Sequence, residues 1–154
     1  MDIRLLLMDC DGVLTDGRLY FSSSGEELKV FDVRDGQGIV MWHQAGFKSG
    51  IISGRGARDI VARRAEELGI EFLRVGSTDK LADMREIMSE VAIGAENVAY
   101  VGDDIGDIAV MREVGFPVAV ADAVDDVKKI AAYVTKAAGG RGAVREVTDL
   151  LLQK

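Results

Sequence analysis

Two acidic clusters hold the residues of this chain best suited to chemistry: Asp9-Cys10-Asp11-Gly12 near its start, and Gly102-Asp103-Asp104-Ile105-Gly106-Asp107 much further along. Each follows a largely apolar run, Ile3–Met8 in the first case and Val98–Val101 in the second. Asp9 and Asp11 are two residues apart where the chain would turn out of a strand, so both can reach one ligand. Gathering carboxylates is costly unless a cation compensates, and oxygen ligands that leave room for waters suit Mg²⁺. A calcium loop is excluded, because its glycine comes at the sixth position whereas Gly12 is fourth counting from Asp9. One Asp in such a place serves equally well as a helix cap or turn residue. Five of them, Asp9, Asp11, Asp103, Asp104 and Asp107, exceed that need, since a helix takes one capping carboxylate.

Two further segments suit an anion. Ser53-Gly54-Arg55 follows the apolar Gly50-Ile51-Ile52 and offers a hydroxyl and a glycine amide at a strand end, which fits a phosphate oxygen. Lys80 opens a helical pattern after Ser77-Thr78-Asp79, where its charge opposes the helix dipole and points to a role at the same crevice. Gly54-x-Gly56 is no dinucleotide fingerprint, because Asp59 stands where its third glycine belongs. His43, the one histidine, lies in Met41-Trp42-His43-Gln44 on a helical stretch and reads as a packing residue. Cys10 faces away from the two carboxylates beside it, whose charge raises its pKa and makes it a poor nucleophile. As the only cysteine it also excludes a disulfide framework or a Cys-rich zinc site.

Bringing these residues together at strand ends requires a parallel α/β layer. Ile3–Met8, Lys48–Ile52, Glu71–Val75, Val98–Val101 and Phe116–Val120 read as strands, several too uniformly apolar for a half-exposed sheet. Leu81, Met84, Ile87, Met88 and Val91 share one helical face, as do Ile60, Val61, Ala65 and Leu68, and a last helix carries Val144, Val147, Leu150 and Leu151. The expected fold is a Rossmann-like open parallel sheet with helices on both faces and ligands at the carboxyl ends of its strands. Arg18–Phe21 and Leu28–Phe31 around a polar turn predict a β-hairpin flap at about 18–31 beside the site, with Tyr20, Phe21 and Phe31 as candidate interface anchors. Gly139-Gly140-Arg141-Gly142 reads as the most flexible stretch, opening a C-terminal tail over 139–154. A length of 154 residues gives a single domain, 1–154, with no room for a cap domain. The formal net charge of −7 argues against nucleic acid or an anionic membrane as partner. Ile3–Met8 is too short and too acid-flanked for a signal peptide or membrane span, so a cytoplasmic setting is expected.

In order, Asp9-x-Asp11-Gly12-Val13-Leu14-Thr15-Asp16, Ile51-Ile52-Ser53-Gly54-Arg55, Lys80 and Val101–Asp107 resemble the four motifs of the haloacid dehalogenase superfamily phosphatases. Gly12–Gly17, Gly25–Lys29, Val33–Gly36, Asn97–Asp104 and Gly139–Glu146 extend the likeness to the small capless branch acting on 3-deoxy-D-manno-octulosonate 8-phosphate, over nearly the whole chain. The resemblance implies that Asp9 is the nucleophile and Asp11 the general acid and base. It implies Mg²⁺ held by Asp9, the main-chain carbonyl of Asp11, and Asp103, with Ser53, Gly54 and Lys80 on the phosphoryl oxygens and Asp104 and Asp107 orienting the site from behind. It further implies sugar-acid contacts from Arg55 and Arg64, a homotetramer, and a tail whose Arg141 reaches a neighbouring subunit's site. The chemistry is consistent: a carboxylate attacking phosphorus divides hydrolysis into two displacements, and a second carboxyl must protonate the leaving alkoxide and then deprotonate water.

One departure is Val40, where the branch commonly carries another Arg. Relatives acting on the nine-carbon 2-keto-3-deoxy sugar-acid 9-phosphate tend to have Glu in place of Arg55, so Arg55 favours the eight-carbon substrate and the nine-carbon one is the alternative. Receiver-like signalling domains also gather carboxylates, Mg²⁺ and a Lys around a phosphorylated Asp. They lack a carboxyl two residues beyond the acceptor, which Asp11 supplies here. A non-catalytic oligomerisation domain would not need the set of Asp9, Asp11 and Lys80.

Overall fold

The computed structural model describes residues 1–25 and 27–153; Glu26, in the expected hairpin turn, and Lys154, at the end of the expected tail, lie outside the described residues. The chain runs β1 (Leu5–Met8), β2 (Tyr20–Phe21), β3 (Glu27–Leu28), α1 (Val33–Gln44), β4 (Lys48–Ser53), α2 (Arg58–Leu68), β5 (Phe72–Val75), α3 (Lys80–Val91), β6 (Val98–Gly102), α4 (Ile108–Met111), β7 (Phe116–Ala119), α5 (Asp125–Ile130), β8 (Tyr133–Val134) and α6 (Ala143–Leu152). Six strands form one parallel sheet in the order β5-β4-β1-β6-β7-β8, an α/β Rossmann-like arrangement. Every residue of β1 and β6 is buried, which their unbroken apolar sequences require of central strands covered on both faces.

From β1 the chain moves through α1 and α2 to β4 and β5 on one side, then through α3 to β6, β7 and β8 on the other. Right-handed crossovers therefore place α1 and α2 on one face and α3 to α5 on the opposite one. The contacts agree: α1 packs on α2 and α6, whereas α4 packs on α3 and α5. The direction reverses between β1 and β6, and the crevice beyond their carboxyl ends is where this topology binds ligands. Met8 pairs with both Ile51 and Val101, and Asp9 donates its amide hydrogen to the Val101 carbonyl at 3.1 Å. This register delivers the two acidic clusters to the same height.

The expected elements form, with two corrections. The hairpin pairs only Tyr20 with Leu28 and Phe21 with Glu27, too little ladder to stand without support from the rest of the chain. The edge strand β8 was not expected, because Tyr133-Val134 is too short to register as an apolar run.

The stretch expected to be the most flexible, at the start of the expected tail, is instead packed. A Cβ on Gly139 would come within 1.7 Å of the Gly12 carbonyl oxygen, and one on Gly140 within 2.4 Å of the Asp16 nitrogen. Gly140 donates its amide hydrogen to the Val13 carbonyl at 2.9 Å, and Gly139 to Asp122 Oδ1 at 2.9 Å. These glycines serve close approach of two backbones, not freedom of movement. Beyond them α6 buries Val144, Val147 and Leu151 against the core. Residues 139–153 are thus a wall of the protein, and their first glycines are the backing of the loop that follows Asp9.

Candidate active site

At the crevice between β1 and β6, a cavity of about 400 Å³ is lined by Asp9, Asp11, Gly54, Arg55, Lys80, Asp103, Asp104 and Asp107, together with Gly17, Leu19 and Gly106. Asp79 caps α3 by accepting the Ala82 amide hydrogen at 3.0 Å, which sets Lys80 in the first turn. Lys80 Nζ reaches Asp9 Oδ2 and Asp107 Oδ1, both at 2.9 Å. Burial works against its charge, but the two carboxylates hold its pKa above the ordinary lysine value.

Asp107 is fully buried and all of its capacity is spent inside the protein. Its Oδ1 accepts from Lys80 and from the Tyr100 hydroxyl at 2.7 Å, and its Oδ2 from the Asp103 and Asp104 amides at 3.0 and 3.3 Å. Asp104 in turn accepts the Ile105 amide hydrogen at 2.8 Å. Asp107 therefore fixes the loop and aims Lys80.

Asp9, Asp103 and Asp107 each bring a carboxylate oxygen within 4.8 Å of the others. Burial, then repulsion from Asp107, lifts Asp9 to about 7 despite Lys80; burial, then Asp9 and Asp107, lifts Asp103 to about 8. Asp103 Oδ1 is buried with no hydrogen-bond partner. A hard divalent cation between Asp9 and Asp103 would satisfy that oxygen and oppose both shifts, and the all-oxygen donor set fits such an ion. Gly12 permits the arrangement: its φ is +85°, and a Cβ there would come within 1.9 Å of Asp103 Oδ2.

Asp11 faces the hairpin. Lys29, just beyond β3, places Nζ 2.5 Å from Asp11 Oδ1 and 3.4 Å from Glu27 Oε1. Arg55 closes the circuit, with Nη2 3.0 Å from Glu27 Oε1 and Nε 3.7 Å from Asp11 Oδ2. Neither Lys29 nor Glu27 was singled out from the sequence. Leu28-Lys29-Val30 reads as ordinary hairpin alternation with the lysine outward, and the likeness over Gly25–Lys29 was the one hint.

Three expected substrate contacts are not among the residues that line this cavity. Ser53 ends β4 buried, its carbonyl accepting the Ser77 amide hydrogen at 2.9 Å, and it does not line the cavity. Arg64 lies over the Phe31 ring at 5.5 Å, pairs with Glu67 at 3.3 Å and donates to the Asp32 carbonyl at 3.4 Å. Arg141 lines a separate cavity of about 570 Å³ with Arg34, Lys136 and Arg145. Val40 lies within α1, away from the site cavity. His43 is a packing residue, bridging the Leu68 carbonyl at 3.1 Å and the Ser49 hydroxyl at 2.6 Å. Burial, reinforced by Asp11, pushes the Cys10 thiol up to about 12, so it stays protonated and inert.

Comparison with known proteins places this geometry in context. Residues 70–147 match the haloacid dehalogenase-like hydrolase family. The chain is 52% identical over 151 residues to the 3-deoxy-D-manno-octulosonate 8-phosphate phosphatase of Escherichia coli strain K12, spanning 98% of this chain and 80% of that protein. The crystal structure of the Yersinia pestis phosphatase of the same name superposes with a TM-score of 0.95 at 49% identity, over 97% of this chain and 80% of that one. The Moraxella catarrhalis phosphatase, solved in complex with a magnesium ion, a phosphate ion and a KDO molecule, superposes with a TM-score of 0.95 at 40% identity, over 98% and 86%. The chain belongs to the haloacid dehalogenase-like hydrolase family, alongside the 3-deoxy-D-manno-octulosonate 8-phosphate phosphatases it resembles.

Proposed function

We propose that this chain is a Mg²⁺-dependent phosphatase that hydrolyses 3-deoxy-D-manno-octulosonate 8-phosphate by way of an aspartyl-phosphate on Asp9. One observation carries the reading: in a single cavity, Asp9 is held by Lys80 and brings a carboxylate oxygen within 4.8 Å of one of Asp103, and Asp11 lines the same cavity. Asp9 attacks phosphorus as the bond to the sugar oxygen breaks, and Asp11 gives a proton to that oxygen. Asp11 then takes a proton from the water that attacks the phosphoenzyme, which releases phosphate and restores Asp9. Lys80 balances charge on the phosphoryl oxygens, the Gly54 amide faces them, and Asp104 and Asp107 keep the loop in place. Asp9, Asp103 and the main-chain carbonyl of Asp11 would hold Mg²⁺, which when bound supplies positive charge against the phosphoryl group.

Inside this cavity Arg55 is the side chain fitted to a sugar-acid carboxylate, being a planar donor at the rim. Arg64, outside this cavity, enters the proposal only as the sugar-acid contact that the resemblance implies, and Arg141 only through a neighbouring copy. Such a copy is expected. Leu19, Phe21, Leu28, Val30 and Val33, all on or next to the hairpin, are 48%, 59%, 68%, 58% and 80% exposed, a patch that asks for cover. Of the three anchors expected there only Phe21 points outward, since Tyr20 donates to Asp16 at 2.7 Å and Phe31 packs on the core beneath Arg64. A homotetramer joined through the hairpins is the assembly proposed. A cytoplasmic setting is proposed with it: Cys10 is a free buried thiol, and no described helix is long and apolar enough to cross a membrane.

The test is phosphate release with Mg²⁺ from eight-carbon and nine-carbon sugar-acid phosphates beside hexose phosphates. The eight-carbon ester should give the highest kcat/KM, with release lost on chelation. Equal rates on hexose phosphates would overturn the substrate, and absence of metal-dependent release from every ester would overturn the activity. Sedimentation should show a tetramer that Phe21→Ser with Leu28→Ser dissociates.

A further inference from the structure

A lysine ammonium shut away from water needs a partner to justify its burial. The Lys29 side chain keeps only 3% of its exposure, less than the 12% of Lys80. Lys29 belongs to no ladder of the main sheet. Its ammonium links the hairpin to the loop after β1, across 18 positions of sequence, and it engages one oxygen of Asp11 only.

That asymmetry is informative. Oδ1 of Asp11 accepts from Lys29 at 2.5 Å, whereas Oδ2 is buried with no hydrogen-bond partner and Arg55 Nε stands 3.7 Å away, beyond hydrogen-bond reach. Glu27 holds both cations, at 3.4 Å from Lys29 and 3.0 Å from Arg55, and so keeps Arg55 from closing on Oδ2. A carboxyl that must hand a proton to one oxygen and later take one from another works best when a single rotamer is held and one of its oxygens is left to react.

We propose that Lys29 is a positioning residue for Asp11: by fastening Oδ1 it holds the carboxyl in the one rotamer from which it can meet the ester oxygen that leaves. The inference rests on the reading of Asp11 as the proton donor, and it deepens that reading by giving the hairpin a part in the chemistry.

The experiment compares kcat/KM, which reports the phosphoryl-transfer step, on two esters with Mg²⁺ present. 3-Deoxy-D-manno-octulosonate 8-phosphate expels an alkoxide that needs a proton; p-nitrophenyl phosphate expels a phenolate that does not. Lys29→Met should lose at least about tenfold more on the sugar ester than on the aryl ester, a fraction of the 10²–10⁴ that general acid catalysis supplies. Lys29→Arg should recover most of the difference, and Lys29→Gln serves if the Met variant fails to fold. Asp11→Asn should show the same preference more strongly, and adding Lys29→Met to it should cost little more. Equal losses on the two esters, or none, in a folded Lys29 variant would overturn the inference while Asp11→Asn still discriminates. If Asp11→Asn itself treats the esters alike, the reading of Asp11 falls and the inference falls with it.

Discussion

Two lysines meet two aspartates in this site, and the pairs differ in how they are held. Lys80 stands at the capped start of α3, braced by Asp107, which is itself fixed by Tyr100 and two backbone amides. Lys29 arrives on a hairpin with two residues in each strand and is steadied by Glu27. The first pair is part of the sheet's end, and the second depends on a flap whose outer surface is apolar. The contrast teaches that the surroundings of Asp9, the proposed nucleophile, are built into the core, while those of Asp11, the proposed proton donor, are assembled from a peripheral element. Damage to the first half should strike all substrates equally, and damage to the second should depend on the leaving group.

The largest effect belongs to the sheet end. Asp9→Asn should lower turnover by about four orders of magnitude or more on sugar and aryl esters alike, with circular dichroism and melting temperature retained. Full activity in that variant would break the comparison at its root. Next, Lys80→Met should cost about 10²–10³ in kcat/KM, the scale of losing one preorganised charge contact, with the same ratio on both esters. A leaving-group preference like that expected of Lys29→Met would show that the two halves act as one.

A third buried carboxylate, Asp35 on α1, has no lysine at all. It is 1% exposed and accepts the Arg145 amide hydrogen at 2.9 Å at the start of α6, while Oδ2 has no partner. Burial, with Asp32 nearby, lifts it to about 6 against those backbone hydrogen bonds. The folded protein therefore keeps a proton on Asp35 at pH values where the unfolded chain has released it, so this group's contribution to stability falls as pH rises from about 4 to about 6 and is level above. The total is up to about 3 kcal/mol, at about 1.4 kcal/mol for each tenfold change in proton affinity. Asp35→Asn should remove that slope, read as the difference between urea midpoints at pH 4 and pH 7 in the two proteins; an unchanged slope would place the titration elsewhere.

The smallest effect concerns what backs the first loop. Gly139→Ala should destabilise by about 1–3 kcal/mol, because its methyl has no room against Gly12, and should lower activity on both esters together. A neutral result would mean that the loop after Asp9 can shift without loss.

What was legible in the sequence follows the same division. Asp9, Asp11, Asp103, Asp104 and Asp107 stand out because strand ends impose spacing: an apolar run stops and its next residues must lie in the crevice. Lys80 was legible because a cation is out of place in a helix's first turn. Lys29 and Glu27 left no such mark, since period-two alternation in a short hairpin does not say which face meets the rest of the protein. Asp35 looks like a favourable acid in the first turn of α1, and only tertiary packing puts it under α6. Gly139 and Gly140 illustrate a further ambiguity, for glycine signals either freedom or crowding and neighbouring residues do not tell which. Arg64 and Arg141 were placed by resemblance alone, and this cavity does not contain them.

The contact between Gly139–Gly140 and Gly12–Asp16 joins two segments far apart in the sequence, so closing it is a long-range step of folding. The loop that carries the first acidic motif therefore takes its shape only when the glycines at 139 and 140 have packed against it. Premature termination before residue 139 would then yield a product with every acidic motif present and no surface to hold the first of them in place.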